Sequence, residues 1–164
     1  MKRPREYCRL TAAARGILTG NNAEVVPVAF WLLKTEPEEF GYDDLVRLGR
    51  DRWNGVRNFR ALAHMRRMAV GDFVFIYHTG KEKAIVGVAE VVTPAYPDPA
   101  GDDGRFVVVD VAPRYRLQRP VTLREIKSDQ VFADWELARI PRLSVMPVPP
   151  ELWQRILGMA QGKT

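Results

Sequence analysis

The residues best suited to chemistry lie in one short segment, 53–58, which reads WNGVRN. It sits inside the stretch 47–67, which holds seven arginines and a single acidic residue, Asp51. The whole chain has a formal net charge of only +5, so positive charge is concentrated in this stretch. Arginines bind phosphates and an indole ring stacks on a base, so the segment is typical of a nucleic-acid-binding surface.

Two aromatic side chains are candidates for stacking on a nucleobase, Trp53 and Tyr77. Stacking of this kind offsets the cost of taking a base out of its stack. Both residues have an alternative role in the core, where tyrosine and tryptophan are usually well buried. The remaining tryptophans are expected to be structural: Trp31, Trp135 and Trp153.

Polar residues of the same segment are suited to reading a base edge or holding the backbone. Asn54 and Asn58 each present a donor and an acceptor, although Asn58 is also a natural N-cap for the following helix. Arg57 and Arg60 beside that helix start favour a phosphate. Gly55 is expected to adopt a positive φ that brings backbone amides near a ligand, with an ordinary loop glycine as the alternative.

A second group of candidates lies at strand ends. Lys34 and Thr35 follow a buried strand and precede Pro37, a position that commonly lines the mouth of a pocket. Lys34 could contact a phosphate or a base carbonyl, and Thr35 could hydrogen-bond a base edge. Ser144 could face either the pocket or a neighbouring strand, and Met146 would offer a soft apolar contact suited to a methyl group.

An enzymatic interpretation depends on His78, which could act as a base. No serine or cysteine nucleophile stands in a recognisable motif, and His64 and His78 have no metal-ligand spacing. His64 is expected on an exposed helix face. The zinc-deaminase signature and the glycine-rich nucleotide-binding motifs are absent. The sequence therefore predicts no catalytic residue, no metal and no cofactor.

Size and composition favour one soluble domain. The 164 residues include a single cysteine, Cys8, which excludes a disulfide framework. No apolar run approaches the ~20 residues that span a bilayer, and no signal peptide is recognisable, so a cytoplasmic location is expected. Residues 1–26 are expected to be a mostly disordered extension with at most a short helix around 10–15. Alternatively, the natural chain begins near Val26.

The pattern of the remaining chain predicts an α+β domain around a small curved sheet or barrel with several short helices. Strand-like apolar runs lie at 28–33, 72–78, 84–92, 105–112 and 143–148. Helical patterns lie at 42–48, closed by Gly49, and at 58–69, where Phe59, Leu62 and Met65 are expected to form the apolar stripe. Further helices are expected to start at Thr122, by capping-box spacing, and at Pro150.

Six blocks occur in order along the chain: WLLKTEPEEF, WNGVRNFRA, VGDFVFIYHTG, AYPDP, PVTL and RLSVMPV. In these blocks and their spacing the chain resembles the EVE domain family. The likeness runs from about residue 30 to 157, which places the domain at 27–160. The resemblance implies a PUA-like fold, related to the YTH readers of methylated adenine, and a role in binding modified bases in DNA or RNA.

Carried over by position, the resemblance implies a base-binding pocket made by four segments. Their residues are Lys34, Thr35, Trp53, Asn54, Gly55, Val56, Arg57, Asn58, Tyr77, His78, Thr79, Ser144, Val145 and Met146. Two departures stand out: Met146 replaces the family's usual glutamine, and the loop after AYPDP is shorter than usual.

These observations predict a non-catalytic module that captures a single, modified base of DNA or RNA. The arginines of the 47–67 stretch are expected to hold the nucleic-acid backbone. A general RNA-binding PUA-like domain of RNA processing or translation is the alternative, and an enzyme on a nucleotide-like substrate is a more distant one. No membrane partner is expected, and the sequence does not identify a protein partner.

Overall fold

The computed structural model describes residues 27–101 and 104–162, so the expected extension at 1–26 lies outside the described residues. The strands are β1 (Phe30–Thr35), β2 (Asp51–Trp53), β3 (Phe73–His78), β4 (Ala84–Val91), β5 (Tyr96–Pro97), β6 (Val107–Thr122) and β7 (Val145–Pro147). The helices are α1 (Tyr42–Leu48), α2 (Phe59–Arg66), α3 (Leu123–Lys127), α4 (Glu136–Arg139) and α5 (Pro150–Ala160), with a 3₁₀ turn at Gln130–Phe132.

The strands form a mixed sheet in the order β2-β6-β4-β3-β1-β7, with β5 paired to β6. The neighbours β1 and β3 run parallel, and the other paired strands are antiparallel. Shifts in register bend β4 against both β3 and β6, and such bulges increase the local twist. The sheet therefore curls into a half-barrel, which confirms the expected α+β fold class.

The helix starts and stops follow from local chemistry, as the sequence indicates. Gly49 ends α1 in a left-handed conformation with φ 78°. The amide of Ala61 donates to Asn58 Oδ1 at 3.0 Å, which confirms Asn58 as the N-cap of α2. The capping box of α3 is complete, because the amides of Thr122 and Glu125 each donate to the other's side chain.

One strand is much longer than the sequence pattern predicts. The pattern ends at 112, but β6 continues to Thr122 through Pro113 and Pro120. Pro113 pairs with Ala89 beside a register shift, which accommodates a residue that cannot donate to the ladder. The three-residue strand β2 was not predicted either, because so short a segment carries no periodic signal.

Each face of the sheet is covered by different helices, and alternation along the strands assigns every side chain to one face. On the first face, the ring of Trp153 from α5 stacks on Phe30 and Phe75, with centroids 4.4 and 3.8 Å apart. We call this the α5 face. Trp31, Trp135 and Trp153 are all buried, which confirms their predicted structural role.

The opposite face carries α1 and α2, and we call it the α1–α2 face. The Trp31 ring lies 6.2 Å from the ring of His64 in α2. The amide of Tyr42, the first residue of α1, donates to His78 Nε2 at 3.0 Å. The Tyr42 hydroxyl donates to the carbonyl of Val88 at 2.8 Å. These contacts attach α1 across β3 and β4.

Gly87 of β4 lets the Tyr42 ring lie directly against the sheet. A Cβ at this position would come within 2.6 Å of Tyr42 Cε1, closer than any ordinary contact. Gly87→Ala is therefore expected to push α1 away and lower the free energy of unfolding by about 1–3 kcal/mol, measured by urea denaturation. Gly158→Ala in α5, where a Cβ meets nothing within 4 Å, is the control and is expected to be neutral or stabilising.

Candidate nucleic-acid interface

Trp53 ends β2 and forms part of the wall of the α1–α2 face. It pairs with Val109 of β6, and its ring meets Phe40 edge-on with centroids 6.1 Å apart. Only 7% of Trp53 is exposed. A bound base would therefore contact a limited part of the indole, held rigidly by its neighbours.

The chain turns outward immediately after Trp53. Gly55 has φ 81°, which confirms the expected positive φ and lies in the left-handed region that favours glycine. Asn54 and Arg57 on either side are exposed, whereas Val56 is buried and anchors the turn to the core. The segment thus presents polar side chains outward from an apolar base.

The strand-end candidates meet at one edge of the sheet. In the parallel pair β1–β3, Lys34 lies beside Tyr77 and Thr35 beside His78. The amide of Thr79 donates to the Thr35 carbonyl at 2.9 Å. The amide of Lys34 donates to the Ser144 carbonyl, also at 2.9 Å, which brings the segment before β7 to the same edge.

These candidates do not share one face of the sheet. Thr35 and His78 lie on the α1–α2 face, and Thr35 Oγ1 donates to the Phe40 carbonyl at 2.6 Å beside Trp53. Lys34 and Tyr77, one residue earlier on each strand, lie on the α5 face. Trp53 and Tyr77 therefore cannot stack on the same base.

Lys34 and Tyr77 form a pair of their own on the α5 face. Lys34 Nζ lies 5.5 Å from the Tyr77 ring centroid and donates to the Pro141 carbonyl at 2.9 Å. Burial, followed by the nearby charge of Lys127, lowers the pKa of Lys34. Burial also raises the pKa of the Tyr77 hydroxyl.

The two residues of β7 proposed for the pocket are buried in the core. Val145 pairs with Leu33 and Met146 with Leu32, and both Val145 and Met146 are 0% exposed. The expectation that Met146 contacts a ligand's methyl group is not supported by this placement. Ser144, just before the strand, is half-buried.

His78 is held in a structural arrangement that uses both of its ring nitrogens. Nε2 accepts from the Tyr42 amide, so Nδ1 carries the proton and donates to Glu82 Oε1 at 2.8 Å. Acting as a base would require His78 to give up the contact that positions α1. This arrangement weakens the enzymatic interpretation.

The arginines of the 47–67 stretch separate into two groups. Three are ion-paired across the surface: Arg47 with Asp44, Arg50 with Asp110 and Arg60 with Glu136, at 2.7, 3.1 and 4.0 Å. Within residues 27–101 and 104–162, Arg52, Arg57, Arg66 and Arg67 form no ion pair with an acidic residue, and Arg52 donates to the Tyr96 hydroxyl at 3.2 Å. Uncompensated charge is therefore concentrated at the two ends of α2.

Two residues of the interface were not recognised from the sequence, Arg105 and Phe106. The Arg57 guanidinium lies 4.4 Å from the Phe106 ring centroid, and that of Arg105 lies 5.7 Å from it. Arg66 donates to the Arg105 carbonyl at 2.6 Å. The adjacent arginine and phenylalanine in the sequence GRF are typical of a nucleic-acid-binding surface. Their contact with the residues around α2 could not be predicted because the two segments are far apart in the chain.

Phe59 differs from its predicted position in the apolar stripe of α2. Leu62 and Met65 are fully buried, but Phe59 is 69% exposed. At 3.6 residues per turn, six residues of helix rotate Phe59 about 120° away from Met65. The aromatic ring therefore projects from the protein at the start of α2.

His64 also differs from its predicted position, which was on an exposed helix face. It is half-buried beside Trp31, and its Nε2 is buried without a hydrogen-bond partner among the residues that the structure describes. Burial lowers the pKa of His64 below its ordinary 6.5, Glu136 opposes this, and Arg60 and Arg67 reinforce it.

The lowered pKa of His64 predicts a pH dependence of stability. The His64 imidazole binds a proton more readily in the unfolded chain than in the folded one. The stability that neutral His64 contributes is therefore fully present above pH 6.5 and is lost as the pH falls through the folded-state pKa. We expect the free energy of unfolding to fall less between pH 7.5 and 5.5 in His64→Gln than in wild type. Urea denaturation at the two pH values measures this fall, and an equal fall in both proteins would contradict the prediction.

No group of three or more His, Cys, Asp or Glu residues within the described ranges is arranged to hold a metal ion. No helix in that part of the chain is both long enough and apolar enough to cross a bilayer.

The half-barrel with short helices on both faces defines a PUA-like fold. The structural likeness extends to the ASCH protein of Zymomonas mobilis, with a TM-score of 0.50 at 14% identity over 79% of this chain and 94% of that one. The chain belongs to the EVE domain family, whose model matches residues 29–159. The family resemblance of the six blocks is thereby confirmed.

Several relatives share nearly the whole described chain. A Rhodopseudomonas palustris protein solved by NMR is 43% identical, with a TM-score of 0.78 over 82% of this chain and 94% of that one. Human THYN1, solved in complex with DNA containing 5-methylcytosine, is 28% identical, with a TM-score of 0.74 over 83% and 99%. Thymocyte nuclear protein 1 of Danio rerio is 31% identical, covering 79% of this chain and 71% of that protein.

Proposed function

We propose that this protein is a non-catalytic reader that binds nucleic acid and captures a single modified base. The observation that carries the proposal is the shared fold with human THYN1, which was solved with 5-methylcytosine-containing DNA. The unpaired arginines around α2 supply the charge that a phosphate backbone requires. DNA is the favoured target because the human THYN1 structure contains DNA.

The geometry favours one place for the base, the corner between Thr35, Phe40 and Trp53. Thr35 and Phe40 are half-buried there, and Asn54, which follows Trp53 in the chain, is exposed. The Trp53 indole would stack on the base, while Thr35 and Asn54 would read its edge. Tyr77 has no part in this stack, because it lies on the opposite face of the sheet.

A panel of oligonucleotides tests the proposal directly. Single-stranded and duplex DNA and RNA, each with and without one 5-methylcytosine, would be compared by fluorescence anisotropy. We expect tighter binding to a methylated member than to its plain counterpart, and binding that weakens with salt. Equal affinity for the methylated and plain members of every pair would show that the protein does not recognise 5-methylcytosine.

The same panel tests the alternatives. A general RNA-binding domain would prefer structured RNA regardless of methylation. An enzyme would change its oligonucleotide with time, and that change would depend on His78. The bonds that occupy both nitrogens of the His78 ring favour the non-catalytic assignment.

Arg60 is expected to hold the backbone rather than the base. It is more than half exposed and pairs with Glu136 at the limit of an ion pair, 4.0 Å. Arg60→Ala should weaken binding to methylated and plain oligonucleotides by the same factor and reduce the salt dependence by about one phosphate contact. The control is Arg155→Ala on α5, which should change neither.

The cytoplasmic location stays a prediction for this chain. Relatives from fish, birds and mammals carry the name thymocyte nuclear protein 1, and that name refers to a nuclear protein. Imaging of a tagged chain in its host would decide between the two.

A further inference from the structure

Phe59 is a prominent apolar residue of the interface that contributes little to the core. It is 69% exposed, the highest value among the large exposed hydrophobic side chains of the described residues. Leu62 and Met65 of the same helix already fill the space beneath α2. Single exposed apolar residues are common on protein surfaces, so the surroundings of this ring determine its significance.

Those surroundings are strongly positive. Arg57 lies two residues before Phe59, and Arg60 follows it. Ala63 and Arg66 come at the i+4 and i+7 positions of α2, on the same exposed side of the helix. Arg57 and Arg66 lack acidic partners within the described chain. A nucleic-acid duplex is a polyanion on its outside and a stack of planar bases inside, so it suits an aromatic ring flanked by cations that lack acidic partners.

We propose that Phe59 is a wedge that enters a nucleic-acid duplex at the position vacated by the captured base. This inference rests on the function proposed above. Extruding a base from a duplex leaves a gap in the stack, and proteins commonly insert an apolar side chain between base steps. A single strand has no fixed stack to repair, so a wedge implies that the target is a duplex.

The two aromatic residues then have separate tasks. Trp53 is held in the wall of the α1–α2 face, 7% exposed, and contacts the captured base. Phe59 projects from the first turn of α2 and contacts the base stack left behind. The turn at Gly55, with φ 81°, lies between them in the chain. Arg57 and Arg66 contact the phosphates on either side of the wedge.

The experiment compares Phe59→Ala with wild type on a duplex carrying one 5-methylcytosine and on the same methylated single strand. Affinity for the duplex is expected to fall about tenfold, within the range of one aromatic–base stacking contact, and affinity for the single strand less than about twofold. Phe59→Leu, which keeps an apolar wedge, should recover most of the loss. Leu48→Ala, which removes a 55% exposed side chain from α1, is the control and should bind both as wild type does.

The outcomes separate this inference from the proposed function. If wild type distinguishes methylated from plain oligonucleotides neither as duplex nor as single strand, the assignment of 5-methylcytosine fails and the wedge with it. If wild type does distinguish them but Phe59→Ala binds the duplex equally well, only the wedge is wrong. Equal losses on duplex and single strand, or wild-type binding confined to the single strand, would also overturn it. The high exposure of Phe59 makes unfolding of the variants unexpected, and thermal denaturation checks this.

Discussion

Replacing Trp53 by alanine is expected to remove the preference for a modified base, with a loss of roughly 1–3 kcal/mol in the binding free energy of the methylated oligonucleotide. The reason is that Trp53 is the aromatic ring of the corner with Thr35 and Phe40, while Tyr77 lies on the other face. Affinity for plain oligonucleotides, which depends on the arginines, should change much less. Fluorescence anisotropy on matched methylated and plain oligonucleotides measures both.

The burial of Trp53 requires a second variant, because removing a buried tryptophan also costs about 3–5 kcal/mol of stability. Trp53→Phe keeps a ring against Phe40 but reduces the stacking surface, so it should remain folded and still lose part of the preference. Trp153→Phe, in the stack of the α5 face, is the matched control and should keep it. If both Trp53→Phe and Trp53→Ala remained folded and kept the wild-type preference, the base would not stack on Trp53.

Local chemistry explains why so much of the fold was predictable. The Asn58 cap, the Thr122 capping box and the Gly49 stop act within one turn of helix, and each is visible as a residue type at a fixed spacing. The length of β6 could not be predicted in this way. Its continuation through Pro113 depends on a register shift against β4, which is a property of the paired strands.

The candidate site was predictable as a set of segments but not as an arrangement. The sequence places Lys34, Thr35, Tyr77 and His78 at strand ends, and the structure confirms that these ends meet. Which side chains share a face depends on the register between strands, and a shift of one residue exchanges the faces. Sequence patterns alone therefore could not exclude a common stack of Trp53 and Tyr77.

The charge of the interface was overestimated for a related reason. Counting seven arginines against Asp51 ignores acidic residues that are distant in sequence. Arg50 pairs with Asp110 and Arg60 with Glu136, so the free positive charge is narrower than the 47–67 stretch and is centred on α2. The position of α2 then decides how the arginines and Phe59 are presented.

Asp72 is the residue that fixes the end of α2 to the sheet. It is 5% exposed and accepts three hydrogen bonds. The Trp31 indole N–H and the Ala69 amide donate to Oδ2 at 2.8 and 2.9 Å, and the Ala29 amide donates to Oδ1 at 3.1 Å. A buried carboxylate is thus compensated by donors from the start of β1 and from the segment after α2.

Asp72→Ala is expected to lower the free energy of unfolding by about 3–5 kcal/mol, because it leaves three donors without an acceptor in the interior. Urea denaturation measures this, and Asp134→Ala, at an exposed position, is expected to stay within about 0.5 kcal/mol of wild type. Asp72→Asn keeps the volume and one acceptor oxygen, so it should fall between the two. Because the Ala69 contact holds the segment that follows α2, Asp72→Asn should also weaken binding to methylated and plain duplexes alike. If Asp72→Ala lost less than about 1 kcal/mol, water would be replacing the carboxylate, and the position of α2 would depend on its apolar contacts alone.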